Sequence, residues 1–416
     1  MTSTTPRVEH LKTTEFENDG ELADWLLTPE AVRTRCGLLY DAGVAGDLEF
    51  FSVDESKLEE VAAFVAKVTT DSYPNLDVPP HSRWRHFEFN RRDLWAELAN
   101  KLDAEERLKA EVELAITSVL LDAGAGAKWA YQDKDVGQYA RSEGLAIASL
   151  RMYASGAFSS KVDEPFLADS AALKSFNADT LASGFQVSSS NPLEGLAGRA
   201  KLIQSLGNAI EAMPAVFSEQ PRLGNLADYL LSLSENNKLP ARLILITILH
   251  ALGRIWAGRI SLAGRNLGDT WQHPLITDDG LIPFHKLSQW LSYSLIEPLE
   301  RYGVEVTNLD ALTGLAEYRN GGLFIDFGVI GLKDVSLLEV THAPDSQPIV
   351  EWRALTVMLL DKTATQVREI LGKSEEELPL ASILQGGTWA AGRLIAKDRR
   401  EGGGPPIAII SDGSVF

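Results

Sequence analysis

The sequence has little cysteine and lacks the residue spacings that mark zinc sites and nucleophilic hydrolases. Cys36 is the single cysteine among 416 residues, so one chain cannot build a disulfide framework or a cysteine-based metal cluster. The seven histidines are scattered, and neither H-x-x-x-H nor H-E-x-x-H occurs. A G-x-S-x-G elbow and a phosphate-binding P-loop are also missing from the sequence. We therefore expect a protein without a resident metal or cofactor.

The sequence also lacks long hydrophobic runs, and its basic residues do not outnumber its acidic ones. The most apolar segment, residues 243–252, is about half as long as a membrane span, and arginines flank it. The N-terminal residues contain no apolar stretch typical of a secretory signal. Asp and Glu number 58 against 39 Lys and Arg, and the resulting net charge of -19 repels phosphate-rich polymers. We therefore expect a cytoplasmic protein that binds neither membranes nor nucleic acids, with its oligomeric state left open.

Apolar residues recur at helical spacing along most of the chain. Leu58, Val61, Ala62 and Val65 follow the i, i+3, i+4, i+7 pattern, which predicts an amphipathic helix. The same kind of pattern predicts further helices over residues 104–121, 193–213, 241–260, 284–299, 353–371 and 388–398.

Signals for β-strands are few by comparison. Short apolar runs predict strands at residues 323–330, 335–340 and 407–410. The chain is therefore predicted to be mainly α with a minor β element. The polar residues 1–20 are predicted to form a flexible arm, and residues 21–416 one compact domain or two tightly packed subdomains.

Polar and aromatic side chains that could carry chemistry crowd into four places, which we call the four polar clusters: residues 81–88, residues 284–293, residues 317–326, and the pair of segments 387–393 and 402–406. In the first, Arg83 and Arg85 could bind a phosphate or carboxylate, beside His86. A surface loop with arginine–glutamate pairs explains the first cluster equally well. In the fourth, Arg393 near a helix start suits anion binding, although capping and packing explain it as well.

The second and third polar clusters have similarly divided explanations. On a helix, His285 and Gln289 share one face, which is either a pocket wall or an ordinary solvated surface. In the third, Glu317 and Arg319 precede a Gly-Gly pair and Asp326 follows it. A carboxylate there could act as a general base or grip sugar hydroxyls. The alternative is a Glu317–Arg319 surface contact beside a turn.

Several long motifs resemble the family of uracil catabolism proteins, long described as a domain of unknown function. These motifs include SRWRHFE (82–88), NPLEGLAGRA (191–200), EYRNGGLFIDFGV (317–329) and GTWAAGR (387–393). The resemblance implies a role in a route that converts uracil to its ribonucleotide and opens the ring. A ribosylurea-type intermediate would remain, and its N-glycosidic bond must then be cleaved.

The order of segments also resembles, more distantly, the queuosine salvage nucleotide N-glycosylases. FHKLSQ (284–289) is similar to F-Y-K-R-A-Q in that family, and LTGLAEYR (312–319) is similar to L-T-x-F-A-D-Y-R. This resemblance implies a helical, DNA-glycosylase-like arrangement of the helix-hairpin-helix type. It places Glu317 where that family has a site aspartate, with Lys286 and Arg319 in matching positions.

Two departures from that second family change the expected substrate. Residues 292–294 read S-Y-S where the family has V-A-D, and residues 320–322 read N-G-G where it has V-P-Q. A carboxylate that recognises the base is therefore missing. Both changes fit a smaller leaving group such as urea.

The sequence therefore predicts an N-glycosidase that cleaves the ribose–urea bond of a phosphorylated ribosylurea or a related ribotide. Glu317 is the predicted catalytic carboxylate, and His285 or His86 the predicted donor to the leaving group. The residues predicted to bind substrate are Arg319, Lys286, Trp290, Tyr293, Arg83, Arg85, His86, Asp326, Trp389 and Arg393. The alternatives are a metal-dependent amidohydrolase acting on the ureido group and a non-catalytic binding partner in the same pathway.

Overall fold

The computed structural model describes residues 16–89, 92–126, 128–256, 260–276 and 279–410. Helices dominate these residues, which confirms the prediction of a mainly α fold with a minor β element. The α-helices are α1 (Asp19–Leu26), α2 (Pro29–Ala45), α3 (Leu58–Ser72), α4 (Leu94–Leu98), α5 (Ala104–Leu120), α6 (Arg141–Ala154), α7 (Ser170–Ser175), α8 (Ala178–Gly184), α9 (Leu196–Glu211), α10 (Pro214–Phe217), α11 (Asn225–Ser232), α12 (Ala241–Leu252), α13 (Lys286–Tyr302), α14 (Tyr318–Asp326), α15 (Gln347–Leu371), α16 (Leu380–Ile383) and α17 (Trp389–Arg399).

The strands are short, and those described pair into separate two-stranded sheets. They are β1 (Phe51–Val53), β2 (Glu88–Phe89), β3 (Arg92–Asp93), β4 (Ala130–Asp133), β5 (Gly137–Ala140), β6 (Lys238–Pro240), β7 (Ser261–Leu262), β8 (Arg265–Asn266), β9 (Thr270–Gln272), β10 (Leu281–Pro283), β11 (Glu305–Thr307), β12 (Ile330–Leu332), β13 (Thr341–His342) and β14 (Ala408–Ile409). The pairs β6–β11 and β13–β14 are parallel, and β1 pairs antiparallel with β12 from the other end of the chain.

The long helices follow from the apolar spacing and from their caps. Asp103 caps α5, accepting a hydrogen bond from the amide of Glu106 at 2.9 Å, and the apolar face of the helix is buried. Helix α13 continues through Pro298 and past the end predicted at residue 299, and it stops at Gly303. Gly303 has φ 106°, a conformation that favours glycine, and it closes the helix with a left-handed cap.

The hydrophobic core lies between two groups of packed helices. The 25-residue helix α15 packs against α2, α3 and α14, while α13 packs against α5 and α12. A single connected cluster of buried apolar side chains extends from Ala23 to Ile407. Helix α1 begins at Asp19, inside the range predicted as an arm, and residues 1–15 of that arm lie outside the described residues. In the described part of the chain, no helix has both the length and the hydropathy needed to cross a membrane.

Two of the predicted strands are wrong. Residues 323–326 belong to α14, and residues 335–338 form a single 3-10 turn. The apolar run at 323–330 is short, and periodicity alone does not separate a short buried strand from a buried helix segment. Gly321 faces α15 so closely that a Cβ atom would lie 2.6 Å from Nε1 of Trp352. The strand predicted at residues 407–410 is confirmed by β14.

Candidate functional site

Side chains from all four polar clusters meet at one cavity of about 360 Å³. The first supplies His81 and His86, the second Lys286 and Trp290, the third Glu317, Tyr318 and Arg319, and the fourth Trp389. The loop 122–126, Arg141, Ser142 and Leu315 complete the lining. Ligand cavities in proteins commonly fall in the range of about 300–1,000 Å³. Segments that are distant in the sequence therefore share one small, polar chamber.

Glu317 lies at the start of α14 and caps that helix. Its Oε1 accepts a hydrogen bond from the amide of Asn320 at 2.6 Å, and its Oε2 accepts one from the amide of Arg319 at 3.0 Å. The residue is 9% exposed. Two backbone donors hold the carboxylate in one orientation, and the positive end of the helix dipole favours its negative charge. Capping thus gives Glu317 a structural role and also fixes it in the cavity wall.

Asp122 is a second carboxylate in this wall, at the end of α5. Its Oδ2 pairs with Nη1 of Arg83 at 2.6 Å, while Nε of Arg83 donates to Oγ of Ser118 at 2.7 Å. Arg83 is fully buried and does not line the cavity. Arg83 was predicted to bind substrate, but the structure places it behind the wall, where it holds Asp122.

Three cations line the cavity without a carboxylate partner among the described residues: Lys286, Arg319 and Arg141. Burial lowers the pKa of Lys286, and the nearby charge of Glu317 partly offsets that shift. The guanidinium of Arg319 lies 4.5 Å from the ring centroid of Trp389, a cation–π contact that orients it. Cations that form no ion pair within the described ranges suit an anionic ligand.

Both histidines of the cavity are uncharged at neutral pH. Burial lowers the pKa of His81 to about 4, and burial together with the charge of Arg83 lowers that of His86 well below its usual range. Nδ1 of His81 lies 2.8 Å from Oε1 of Gln385. The two rings flank Trp290, with centroid distances of 6.3 Å and 6.1 Å. The cavity therefore has an uncharged aromatic side as well as a cationic one.

Two of the predicted site residues point into the core. Nε2 of His285 lies 2.8 Å from the carbonyl oxygen of Leu26, and the ring is outside the cavity. Tyr293 is fully buried, and its hydroxyl donates to the carbonyl oxygen of Thr313 at 2.8 Å. Their positions give no support to the predicted roles as leaving-group donor and pocket wall.

Three further charged residues predicted to bind substrate have partners elsewhere. Arg85 forms ion pairs with Glu297 and, at 2.7 Å, with Glu88. The carboxylate of Asp326 pairs with Arg400 at 2.7 Å. Arg393 lies 3.4 Å from Glu143, and its guanidinium approaches Trp389 from outside the lining. Each of the three is explained by ion pairing rather than by a ligand.

Charged or ionisable side chains that line the cavity but were not predicted as site residues include His81, Asp122 and Arg141. His81 belongs to the first polar cluster, and Asp122 directly follows the helix predicted over residues 104–121. Arg141 adopts φ 56° at the start of α6, and nothing local in the sequence marks it. Across the described ranges, no three His, Cys, Asp or Glu side chains are placed to hold one metal ion.

Comparison with known proteins gives consistent matches along the chain. A family model described as a protein of unknown function (DUF1688) matches residues 25–416. "Protein urg3" of Schizosaccharomyces pombe is 42% identical over 402 residues, covering 94% of this chain and 98% of that protein. "Uracil catabolism protein 4" of Lachancea kluyveri is 38% identical over 413 residues, covering 89% and 93%. The resemblance to uracil catabolism proteins predicted from the motifs is confirmed.

Proposed function

The chain belongs to the DUF1688 family, and from that premise we propose that it is an N-glycosidase of uracil breakdown. Its proposed substrate is a phosphorylated ribosylurea or a related ribotide, and the bond broken joins ribose to urea. One observation carries the proposal: a single cavity combines two carboxylates with three cations that lack carboxylate partners in the described ranges. The printed name of one relative supports the pathway.

The cations supply the phosphate-binding part of the proposed site. Lys286, Arg319 and Arg141 can donate charge-assisted hydrogen bonds to a phosphate, and such bonds are about twice as strong as neutral ones. The acidic chain as a whole would repel a phosphate, so the local excess of positive charge decides where one can bind. The planar guanidinium of Arg319, which lies over the ring of Trp389, can donate hydrogen bonds to two phosphate oxygens at once.

The carboxylates supply the part of the site that acts on the sugar. Breaking an N-glycosidic bond gives the ribose ring positive charge in the transition state. Glu317 and Asp122 place negative charge in the same cavity, where fixed carboxylates can stabilise that transition state. Both carboxylates are fixed, Glu317 by two backbone amides and Asp122 by Arg83.

The proposed reaction is a hydrolysis. Glu317 accepts a proton from a water molecule, whose oxygen bonds to C1′ of the ribose. The bond between C1′ and the urea nitrogen breaks, and its electron pair goes to that nitrogen. The nitrogen takes up a proton from solvent, and Glu317 returns to solvent the proton that it accepted from the water. Ribose 5-phosphate and urea are the products. His86 was predicted as the donor to the leaving group, and because it is uncharged it can donate a hydrogen bond without carrying an extra proton.

The proposal includes the expectation that the helices are arranged as in DNA glycosylases. Two helices begin at the cavity wall, α13 at Lys286 and α14 just after Glu317, and these are the segments that resemble the queuosine salvage N-glycosylases. Superposition of an experimentally determined structure on a DNA glycosylase would test this expectation.

Product analysis tests the proposed reaction. Purified protein is incubated with ribosylurea 5-phosphate, and urea and ribose 5-phosphate are measured over time. We expect both products to form in equal amounts at a rate that scales with enzyme concentration. Failure to release urea at an enzyme-like rate would remove the proposal.

The same assay separates the two alternatives. A metal-dependent amidohydrolase would release ammonia and carbon dioxide instead of urea, and a chelator would abolish its activity. A non-catalytic partner would bind the ligand in calorimetry without forming either set of products.

A further inference from the structure

The two histidines of the cavity carry their protons on different nitrogen atoms. The amide oxygen of Gln385 can only accept a hydrogen bond, so Nδ1 of His81, 2.8 Å away, carries the hydrogen. Because the ring is uncharged, Nε2 of His81 has a free lone pair. That atom has no hydrogen-bond partner among the described residues and reaches the cavity. His81 therefore presents a hydrogen-bond acceptor to a ligand.

His86 presents the opposite group. Its Nδ1 is enclosed and has no hydrogen-bond partner in the described part of the chain. A hydrogen placed on Nδ1 would be a buried donor without an acceptor, which proteins avoid more strongly than a buried free lone pair. The hydrogen therefore lies on Nε2, which also lacks a partner among the described side chains and opens to the cavity. His86 thus presents a hydrogen-bond donor.

We infer that His81 and His86 bind an uncharged group that carries an N–H and a C=O side by side, an amide or ureido group. Both rings pack against Trp290 and line the same cavity, so the acceptor and the donor face one chamber. This inference rests on the proposed function for the identity of the rest of the ligand, a ribosyl phosphate. A ureido group offers an N–H to His81 and a carbonyl oxygen to His86 at once.

A π-helical turn fixes the tautomer of His81. Residues Leu384–Thr388 form this turn between α16 and α17, and Gln385 projects from it to His81. Gly387 lies so close to α3 that a Cβ atom at this position would be 2.5 Å from Cγ1 of Val65. Turns of this kind are rare and concentrate at functional sites. Gln385 is therefore a positioning residue, because it acts on the ligand through His81.

The test compares two ligands on the same protein by calorimetry. A Glu317→Gln variant slows turnover, and ribosylurea 5-phosphate and ribose 5-phosphate are titrated into it separately. Adding His81→Phe or His86→Phe should weaken binding of ribosylurea 5-phosphate by about tenfold, the value of one hydrogen bond to a buried group. Binding of ribose 5-phosphate should change by less than about threefold, since it lacks the ureido group.

Gln385 provides a variant outside the cavity, in case a histidine replacement impairs folding. Gln385→Leu should reduce the preference for ribosylurea 5-phosphate, and Gln385→Glu, which keeps an acceptor for Nδ1, should retain it. Selective ¹⁵N labelling of histidine should show hydrogen on Nδ1 of His81 and on Nε2 of His86. The opposite tautomers, or equal losses for both ligands, would overturn the inference.

The two proposals fail in different ways. If the ligand preference depends on the histidines but the unmodified protein releases no urea, the amide-binding pair stands and the glycosidase fails. If urea is released while the histidine variants keep their preference, the glycosidase stands and the pair fails. If neither ligand binds, both proposals fail.

Discussion

Two depressions in the surface differ in whether their lining lysines and arginines form ion pairs with carboxylates. One is the candidate site, about 360 Å³ in volume, and the other is a groove of about 550 Å³ that we call the second groove. The cations of the second groove are Lys161, Lys174 and Arg222. All three are paired with carboxylates, at 2.9 Å to Glu164, 2.6 Å to Glu211 and 2.6 Å to Glu113.

The cations of the candidate site have no such partners in the described residues. A chain with a net charge of -19 has carboxylates to spare, so leaving three cations unpaired in one chamber is a local exception. Carboxylates that do line that chamber are held by other groups: Glu317 by backbone amides and Asp122 by Arg83. The difference indicates that the second groove is a structural surface, whereas the first chamber is arranged for an external anion.

The largest expected effect concerns Glu317, which would have no catalytic role in the candidate site if it only capped helix α14. We expect Glu317→Gln to lower kcat for urea release by about a thousandfold, because an amide cannot stabilise the charged sugar or accept the proton. The matched control is Asp103→Asn, which removes a charged cap from α5 away from the cavity. Steady-state assays of both variants decide the point, and a loss below tenfold at Glu317 would reduce it to a cap.

Removing a charge beside the second groove should change the stability of the protein and not its affinity for a ligand. Glu113 is fully buried and accepts hydrogen bonds from Tyr153, Arg222 and two backbone amides. Glu113→Gln should lower the free energy of unfolding by about 3 kcal/mol, because it breaks a buried ion pair and leaves Arg222 partly unpaired. Urea denaturation measures this change. Affinity for ribose 5-phosphate should stay within about twofold of the unmodified protein.

Replacing one cation in each depression sharpens the contrast further. Arg319→Met should weaken binding of ribose 5-phosphate by about tenfold to a hundredfold, the value of charge-assisted hydrogen bonds to a phosphate. Lys174→Met, in the second groove, removes one positive charge as well but leaves only Glu211 without its partner. Calorimetry should show no loss of affinity for that control. Equal losses in both variants would mean that net charge, and not the site, attracts the ligand.

The sequence predicted the helices and the four polar clusters, because apolar spacing and local chemical density are properties of short segments. It could not predict which member of each cluster faces the cavity. His285 and Lys286 are adjacent, yet the first turns to Leu26 and the second to the cavity. The backbone of His285 has φ 51°, which redirects the chain at the start of α13. Such a bend depends on tertiary packing that neighbouring residues do not encode.

Ion pairing limited the prediction in the same way. Arg83, Arg85 and Asp326 were selected because their charges suit a phosphate or a sugar, but each finds a partner that is distant in the sequence. The partners lie 39, 212 and 74 residues away along the chain. Pairs of that separation follow from the fold as a whole, whereas the motif of Glu317 and Arg319 was visible within eight residues, LTGLAEYR.

The smallest expected effect concerns pH, and it distinguishes the two depressions through His81. The pKa of His81 is lowered from 6.5 to about 4 by burial, so the unfolded chain binds a proton that the folded chain refuses. Its contribution to stability is complete above pH 6.5 and is lost as the pH falls towards 4, with about 2 kcal/mol lost between pH 8 and pH 5. In the His81→Phe variant, the free energy of unfolding should fall between pH 8 and pH 5 by about 2 kcal/mol less than in the unmodified protein. In the Lys174→Met variant, whose groove has no histidine among its described lining residues, it should fall as much as in the unmodified protein. Denaturation curves at the two pH values give the measurement, and parallel losses in all three proteins would show that burial does not lower the pKa of His81.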